Sequence, residues 1–201
     1  MSRPVINPGT LRWSGEHWIS YLRPPGADTN SGLVSLYHTR YSPAGEGTAA
    51  FVDLADHPDC LGLYTDNREV AAFIQDMIRG RGNPFDRQLP LIDAHISRSG
   101  DIRFNPSWVI ATRSPPTRGC HITATWSDIQ PPVIAEGPAP TFGPDRDFFT
   151  LLFFTDSAAI TVNGQPVEGQ PYQRDIWQAS IGGDRSSCVF ALAETMIMVS
   201  N

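Results

Sequence analysis

Turn-forming residues cut this chain into short pieces. Seventeen glycines and eighteen prolines in 201 residues amount to about one residue in six, against roughly 12% in ordinary proteins. Clusters such as Pro24-Pro25-Gly26 and Pro43-Ala44-Gly45 separate runs of aromatic and β-branched residues, the pattern of strands bounded by turns. Strands are expected near 17–23, 33–41, 48–54, 61–64, 89–97, 102–112, 121–126, 148–155, 159–162, 171–181 and 188–199. Ser99-Gly100-Asp101 is expected to join two of them. Asn163-Gly164 is the strongest type I′ turn signal. The segment from Pro131 to Pro144 holds too many prolines for a central strand and reads as a loop or an edge crossing.

One segment reads differently. Val70, Phe73, Ile74, Met77 and Ile78 repeat at helical spacing and form a single apolar stripe. Asp66 and Glu69 have the spacing of a capping box, and Gly80 and Gly82 follow as stop signals. A packing helix over about 67–79 is therefore predicted. Many strands, one helix and no fixed repeat give an all-β fold in one domain over 1–201. Its form is a single antiparallel β-barrel, calycin- or lipocalin-like in shape, or a sandwich. In Trp13-Ser14-Gly15-Glu16-His17-Trp18 the glycine and the second tryptophan are one residue further apart than in the Gly-x-Trp that opens lipocalin barrels, so no family is assigned on it.

Charge and composition exclude several functions. All fifteen basic residues are arginine, against 21 acidic ones, for a net charge of −6. Without lysine there is no Schiff-base catalysis by a side-chain amine and no Walker-type phosphate loop. An acidic chain lacking a basic run is a poor binder of nucleic acid or anionic membrane. Neither is expected as a partner; a small-molecule ligand is, and self-association into a homo-oligomer is left open. The first residues lack the apolar run of a signal peptide. Cys60, Cys120 and Cys188 are an odd set with no CxxC pair. Three free thiols and a cytoplasmic location are the corresponding expectations. The metal, nucleotide and serine-nucleophile motifs HExxH, GxGxxG and GxSxG are absent, and neither a cofactor nor a metal is expected.

Chemistry must then come from strand faces. Asp93 and His95 share one face of 89–97, opposite Ile92 and Ile96, and His121 shares a face with Thr123 and Thr125. Glu194 lies in Val-Phe-Ala-Leu-Ala-Glu-Thr-Met-Ile-Met-Val, where both faces are apolar and alternation puts it with Leu192 and Met196. A carboxylate there needs a partner or a raised pKa. The leading expectation is a cavity inside the barrel for a small, largely apolar molecule, lined by His121, Trp108, Trp126, Trp177, Arg103 and Tyr37. The alternative is a cofactor-independent lyase, isomerase or hydrolase working by acid–base chemistry. There His95 is the proton carrier, oriented by Asp93 or Glu194, with Arg103 or Tyr37 stabilising negative charge. A protein-interaction domain is the third reading. The enzyme reading requires Glu194 and His95 to share one enclosed space.

Overall fold

The computed structural model describes residues 9–82, 84–112, 119–138 and 145–199. Thirteen strands are present among them. They are β1 (Gly9–Leu22), β2 (Gly32–Tyr41), β3 (Gly47–Leu54), β4 (Gly62–Thr65), β5 (Leu91–Ser99), β6 (Ser107–Thr112), β7 (His121–Ile129), β8 (Val133–Pro138), β9 (Arg146–Val162), β10 (Gln165–Pro166), β11 (Gln173–Arg174), β12 (Arg185–Ser186) and β13 (Cys188–Val199). The helix α1 spans Arg68–Met77, and a single-turn helix α2 spans Gln178–Ile181. The fold is mostly β, as expected.

Hydrogen bonding runs in a ring: β9-β13-β1-β2-β3-β4-β5-β6-β7 and back to β9. Closure depends on the length of β9. Its first half pairs with β13 and β8, and its second half pairs with β7. The sequence breaks it in two, but Asp156 and Ser157 continue the strand. The sheet is mixed rather than antiparallel throughout, because β4 and β5 run parallel. A parallel pair needs a crossover, and α1 supplies it.

Strand alternation sorts the residues. Trp18, Leu36, Val52, Tyr64, Ile96, Trp108, Ile110, Trp126, Ile160 and Phe190 form one buried cluster inside the ring. Trp18 stacks on Phe190 at 4.3 Å, and Phe153 stacks on the other side at 5.1 Å. The interior is thus packed with aromatic rings. Outside the ring, the face of Tyr37, Phe51 and Leu63 packs against Val70 and Ile74 of α1 and Ile78 at its C-cap. Near the interior's end, Glu16 accepts from Trp18 Nε1 at 3.0 Å and from the Arg98 guanidinium. That guanidinium lies over the Trp18 and Trp108 rings.

Local details differ from expectation for physical reasons. The cap of α1 is Asn67, which accepts from the N–H of Glu69 and Val70. Asp66 instead accepts from the Thr48 N–H at 2.7 Å, tying the helix entry to β3. Asn163 and Gly164 both have positive φ in a two-residue hairpin between β9 and β10, as the type I′ signal predicts. The segment 133–138 is a strand on the sheet edge, compatible with its prolines; 139–144 lies outside the described residues. In 171–181 only Gln173 and Arg174 are strand, and Trp177 ends a 3-10 turn.

The expectation of three free thiols is overturned. Cys60 and Cys120 form a disulfide across 60 residues of sequence, with Cα atoms 6.0 Å apart, and Cys188 is the buried free thiol. Cys60 ends a 3-10 turn and Cys120 lies just before β7, so only the closed ring brings the two together. Reduced thiols therefore no longer support a cytoplasmic location. No helix among the described residues is long and apolar enough to cross a membrane. Alkylation of the unfolded, unreduced chain should count one thiol by mass spectrometry, and three after reduction. Replacing Cys60 and Cys120 by serine should cost about 4 kcal/mol, the loop-closure value for a cross-link of this span.

Candidate functional site

On strand β13 the registry slips. Ala191 pairs with Leu152 and Glu194 with Thr150, so Leu192 and Ala193 together oppose a single residue. The same two residues fall opposite Glu16 of β1, between the pairs Gly15–Glu194 and His17–Ala191. This β-bulge re-aims the strand. Leu192 packs on the ring interior, whereas Met196 packs outside with Trp13. Glu194 is turned outward with Met196 and away from Leu192. Strict alternation, which groups all three, is corrected here.

On the outer face Glu194 meets His17. Its Oε1 lies 3.8 Å from His17 Nδ1, the two side chains being 19% and 15% exposed. Thr150 Oγ1 donates to Glu194 Oε2 at 3.2 Å. The other imidazole nitrogen, Nε2, is 3.0 Å from Ser35 Oγ. The Tyr37 ring stacks on the imidazole at 3.9 Å. Register places these groups together, since His17 pairs with Tyr37 across β1 and β2 and Ile19 pairs with Ser35. Gly15 allows the close approach: a Cβ there would meet the His38 carbonyl oxygen at 2.3 Å.

Burial sets the protonation states. Loss of solvation pushes the Glu194 carboxyl up to about 7, against the opposing pull of the Thr150 hydrogen bond and the Arg81 charge. Burial, helped by Arg81, holds His17 down to about 3. Burial, then the Glu194 charge, raises the Tyr37 phenol. The usual order of carboxylate and imidazole is inverted: near neutrality Glu194 holds a proton about half the time and His17 is neutral. Arg81 belongs to a loop pinned by Asp86, whose carboxylate accepts from the Gly80 and Gly82 N–H groups at 2.6 and 2.8 Å. Both glycines have positive φ, which only glycine adopts without strain.

Ser35, His17 and Glu194 have the connectivity of a nucleophile, a base and its orienting acid. Ser35 is only 1% exposed and lies in mid-strand, where its backbone is paired on both sides. A substrate cannot reach its hydroxyl, so Ser35 anchors the imidazole. The accessible proton-transferring atoms are those of Glu194 and His17.

Of the residues singled out in the sequence, Glu194 and Tyr37 are brought into this cluster. His95 is not. It is exposed on β5, separated from β13 by four strands of the ring one way and three the other, so the two do not share an enclosed space. Asp93 is also exposed and forms a two-point ion pair with Arg68 at 2.8 and 2.7 Å. His121 is exposed at the start of β7. Polar alternate positions on β5 and β7 are thus the outer side, because the inner side is taken up by Ile92, Ile96, Ile122 and Trp126. Trp108 and Trp126 fill the interior, with Trp126 Nε1 donating to the Ile19 carbonyl at 2.8 Å. Trp177 packs outside on Phe154. Arg103 is exposed in a turn, bonded to Asp101.

The residue sequence reasoning missed is His17. Its signal was present: a histidine inside a predicted strand, next to Trp18. An open groove of about 640 Å³ lies elsewhere, between His38, Arg40, Asp66, Arg68 and Asp93. Several of its charged groups already pair with each other or with backbone. Among the described residues no group of His, Cys, Asp and Glu could hold a metal ion. No protein-family model, no curated protein and no solved structure matches the chain.

The two shifts act on stability with opposite signs. Glu194 holds its proton more tightly folded than unfolded, so its contribution is full below pH 4.5 and lost as pH rises through about 7. His17 is held neutral, so its contribution is full above pH 6.5 and lost as pH falls toward 3. Between pH 4.5 and 6.5 the slopes oppose each other. Glu194→Gln removes only the first, and the variant should gain on the wild type by about 2–3 kcal/mol between pH 4.5 and 7.5. Denaturant unfolding at both pH values measures this; an equal difference at both contradicts the raised carboxyl.

Proposed function

We propose that the protein is a cofactor-independent acid–base enzyme acting on a small molecule held outside the ring, against β1, β2 and β13. Glu194 is the proton-transferring group. The observation that carries this reading is geometric: a partly exposed carboxyl on the outer face, 3.8 Å from an imidazole anchored by Ser35; burial raises that carboxyl toward neutrality. A catalytic acid or base works best when its pKa lies near the working pH, and strongly perturbed groups in partly open sites are candidates for function.

In this reading, ionised Glu194 takes a proton from a substrate carbon or oxygen and returns it to another position, the chemistry of isomerases and lyases. His17 and Ser35 are positioning residues. With Nε2 accepting from the Ser35 hydroxyl, His17 turns an Nδ1–H toward the carboxylate and steadies its charged form. Tyr37 covers the imidazole and excludes water. The aromatic filling of the ring favours this outer site over an interior one. The Cys60–Cys120 bridge favours an oxidising compartment over the cytoplasm as the place of action.

A binding protein without turnover is the second reading, favoured by the long 3.8 Å separation of His17 and Glu194. The two differ in one readout. In D₂O, with a panel of small carbonyl compounds, the enzyme should speed exchange of hydrogen for deuterium beside the carbonyl of at least one member. Glu194→Gln should slow that exchange about 10²-fold or more. Exchange that persists unchanged in the variant, or none with any compound, overturns the proton-transfer reading.

A further inference from the structure

Glu194 and His17 occupy one end of an outward face that continues along β1 to Tyr21. Tyr21 lies four residue steps along the strand from His17, about 13 Å at the usual rise. Over Tyr21 lies a short ribbon formed by β11 and β12. Arg174 and Arg185 are directly paired across it, so their side chains leave the ribbon on the same side. Tyr172, just before β11, packs against the same outer cluster as Tyr21. The Arg174 guanidinium stands over the Tyr21 ring at 4.7 Å, and the Arg23 guanidinium over the Tyr172 ring at 3.8 Å. Ser187 fixes the ribbon to β1 by donating to the Tyr21 carbonyl at 2.7 Å.

Two guanidiniums thus stand over two aromatic rings, and a third, that of Arg185, is carried on the residue paired with Arg174 across the ribbon, in a chain of net charge −6. Among the described residues, none of Arg23, Arg174 and Arg185 has a carboxylate within ion-pair distance, although seven other arginine–carboxylate pairs exist. Asp184, next in sequence to Arg185, is bonded by Gln178 instead. Like charges directly opposite on a ribbon are destabilising. The Nε atoms of Arg23 and Arg185 are buried with no hydrogen-bond partner, and buried donors are ordinarily satisfied. All three residues remain partly exposed, so a solute can reach their outer nitrogens.

We propose that Arg23, Arg174 and Arg185 form an oxyanion site that holds the carboxylate or phosphate group of a small ligand beside Tyr21. Guanidinium forks match both groups geometrically. Arg81, whose charge acts on Tyr21, Tyr37, His17 and Glu194, extends the positive field toward the carboxyl. The substrate of the acid–base site is then an anion long enough to reach from the ribbon to Glu194. The role as substrate anchor rests on the acid–base reading; the anion site itself does not.

Calorimetric titration at constant ionic strength tests it, using inorganic phosphate and acetate as separate probes against chloride. Saturable binding of phosphate alone assigns a phosphate group, and binding of acetate as well assigns a carboxylate. Arg174→Gln with Arg185→Gln should weaken binding more than about tenfold, the loss of charged hydrogen bonds, and Arg79→Gln should not. Arg185→Lys keeps the charge without the fork and should weaken binding several-fold, which covers a double variant that fails to fold. Glu194→Gln should retain anion binding, so loss of deuterium exchange and loss of anion binding are separable. Absence of saturable binding by either probe, or unchanged binding in the arginine variants, overturns the site; binding by all variants alike assigns an adventitious ion only.

Discussion

One strand makes the rest of the structure possible. β9, Arg146–Val162, is long enough to pair with β13 at its start and β7 at its end, and so turns an open sheet into a ring. An open sheet of this composition would leave Trp18, Trp126 and Phe190 facing water; each such ring buries an area worth several kcal/mol of transfer free energy. Closure puts them inside and fixes which face of every other strand is outer. Once Trp18 points inward, His17 and Tyr21 must point outward. The chemistry described here follows from that parity and from one β-bulge in β13.

The bulge is the second determinant. Without Leu192 and Ala193 bowing out against a single opposing residue, Glu194 would share the face of Leu192 inside the ring. There it would lie in an interior filled with aromatic rings, where an unpaired charge costs several kcal/mol. Turned outward, it is still largely desolvated, but Thr150 and His17 meet it. Two dissimilar groups share one poorly solvated space, and burial disfavours the charged form of each. The neutral acid and the neutral base therefore coexist near neutrality. The long contact between them and the absence of a direct proton-sharing bond fit that state.

Much of this was legible in the sequence, and what was not has identifiable causes. The helix was visible because Val70, Ile74 and Ile78 keep a helical period, and the all-β fold because turns punctuate the strands. Glu194 stood out as an acid in a strand apolar on both sides, and Tyr37 was among the site residues. His95, Asp93 and His121 were plausible because a polar strand face is equally suited to solvent or to a lumen; the aromatic volume inside the ring decides for solvent. His17 could not be joined to Glu194, since strand order brings β1 beside β13 and a bulge rotates the acid by one residue. Neither is encoded locally. The arginine ribbon was hidden for a related reason: 171–181 reads as strand, whereas only Gln173 and Arg174 pair, and their partners lie beyond a helical turn. The Cys60–Cys120 link likewise joins two loops that only the closed ring brings together.

The chemistry of the outer face depends on the inverted protonation of Glu194 and His17. Carbon-13 NMR of side-chain-labelled glutamate, followed with pH alongside the His17 ring resonances, measures it directly. The Glu194 carboxyl should titrate with a midpoint near 7, and His17 should stay neutral until about pH 3 while its shifts respond to the nearby carboxyl near 7. A Glu194 midpoint near 4.5 with His17 titrating near 6.5, the values of solvated side chains, would contradict it.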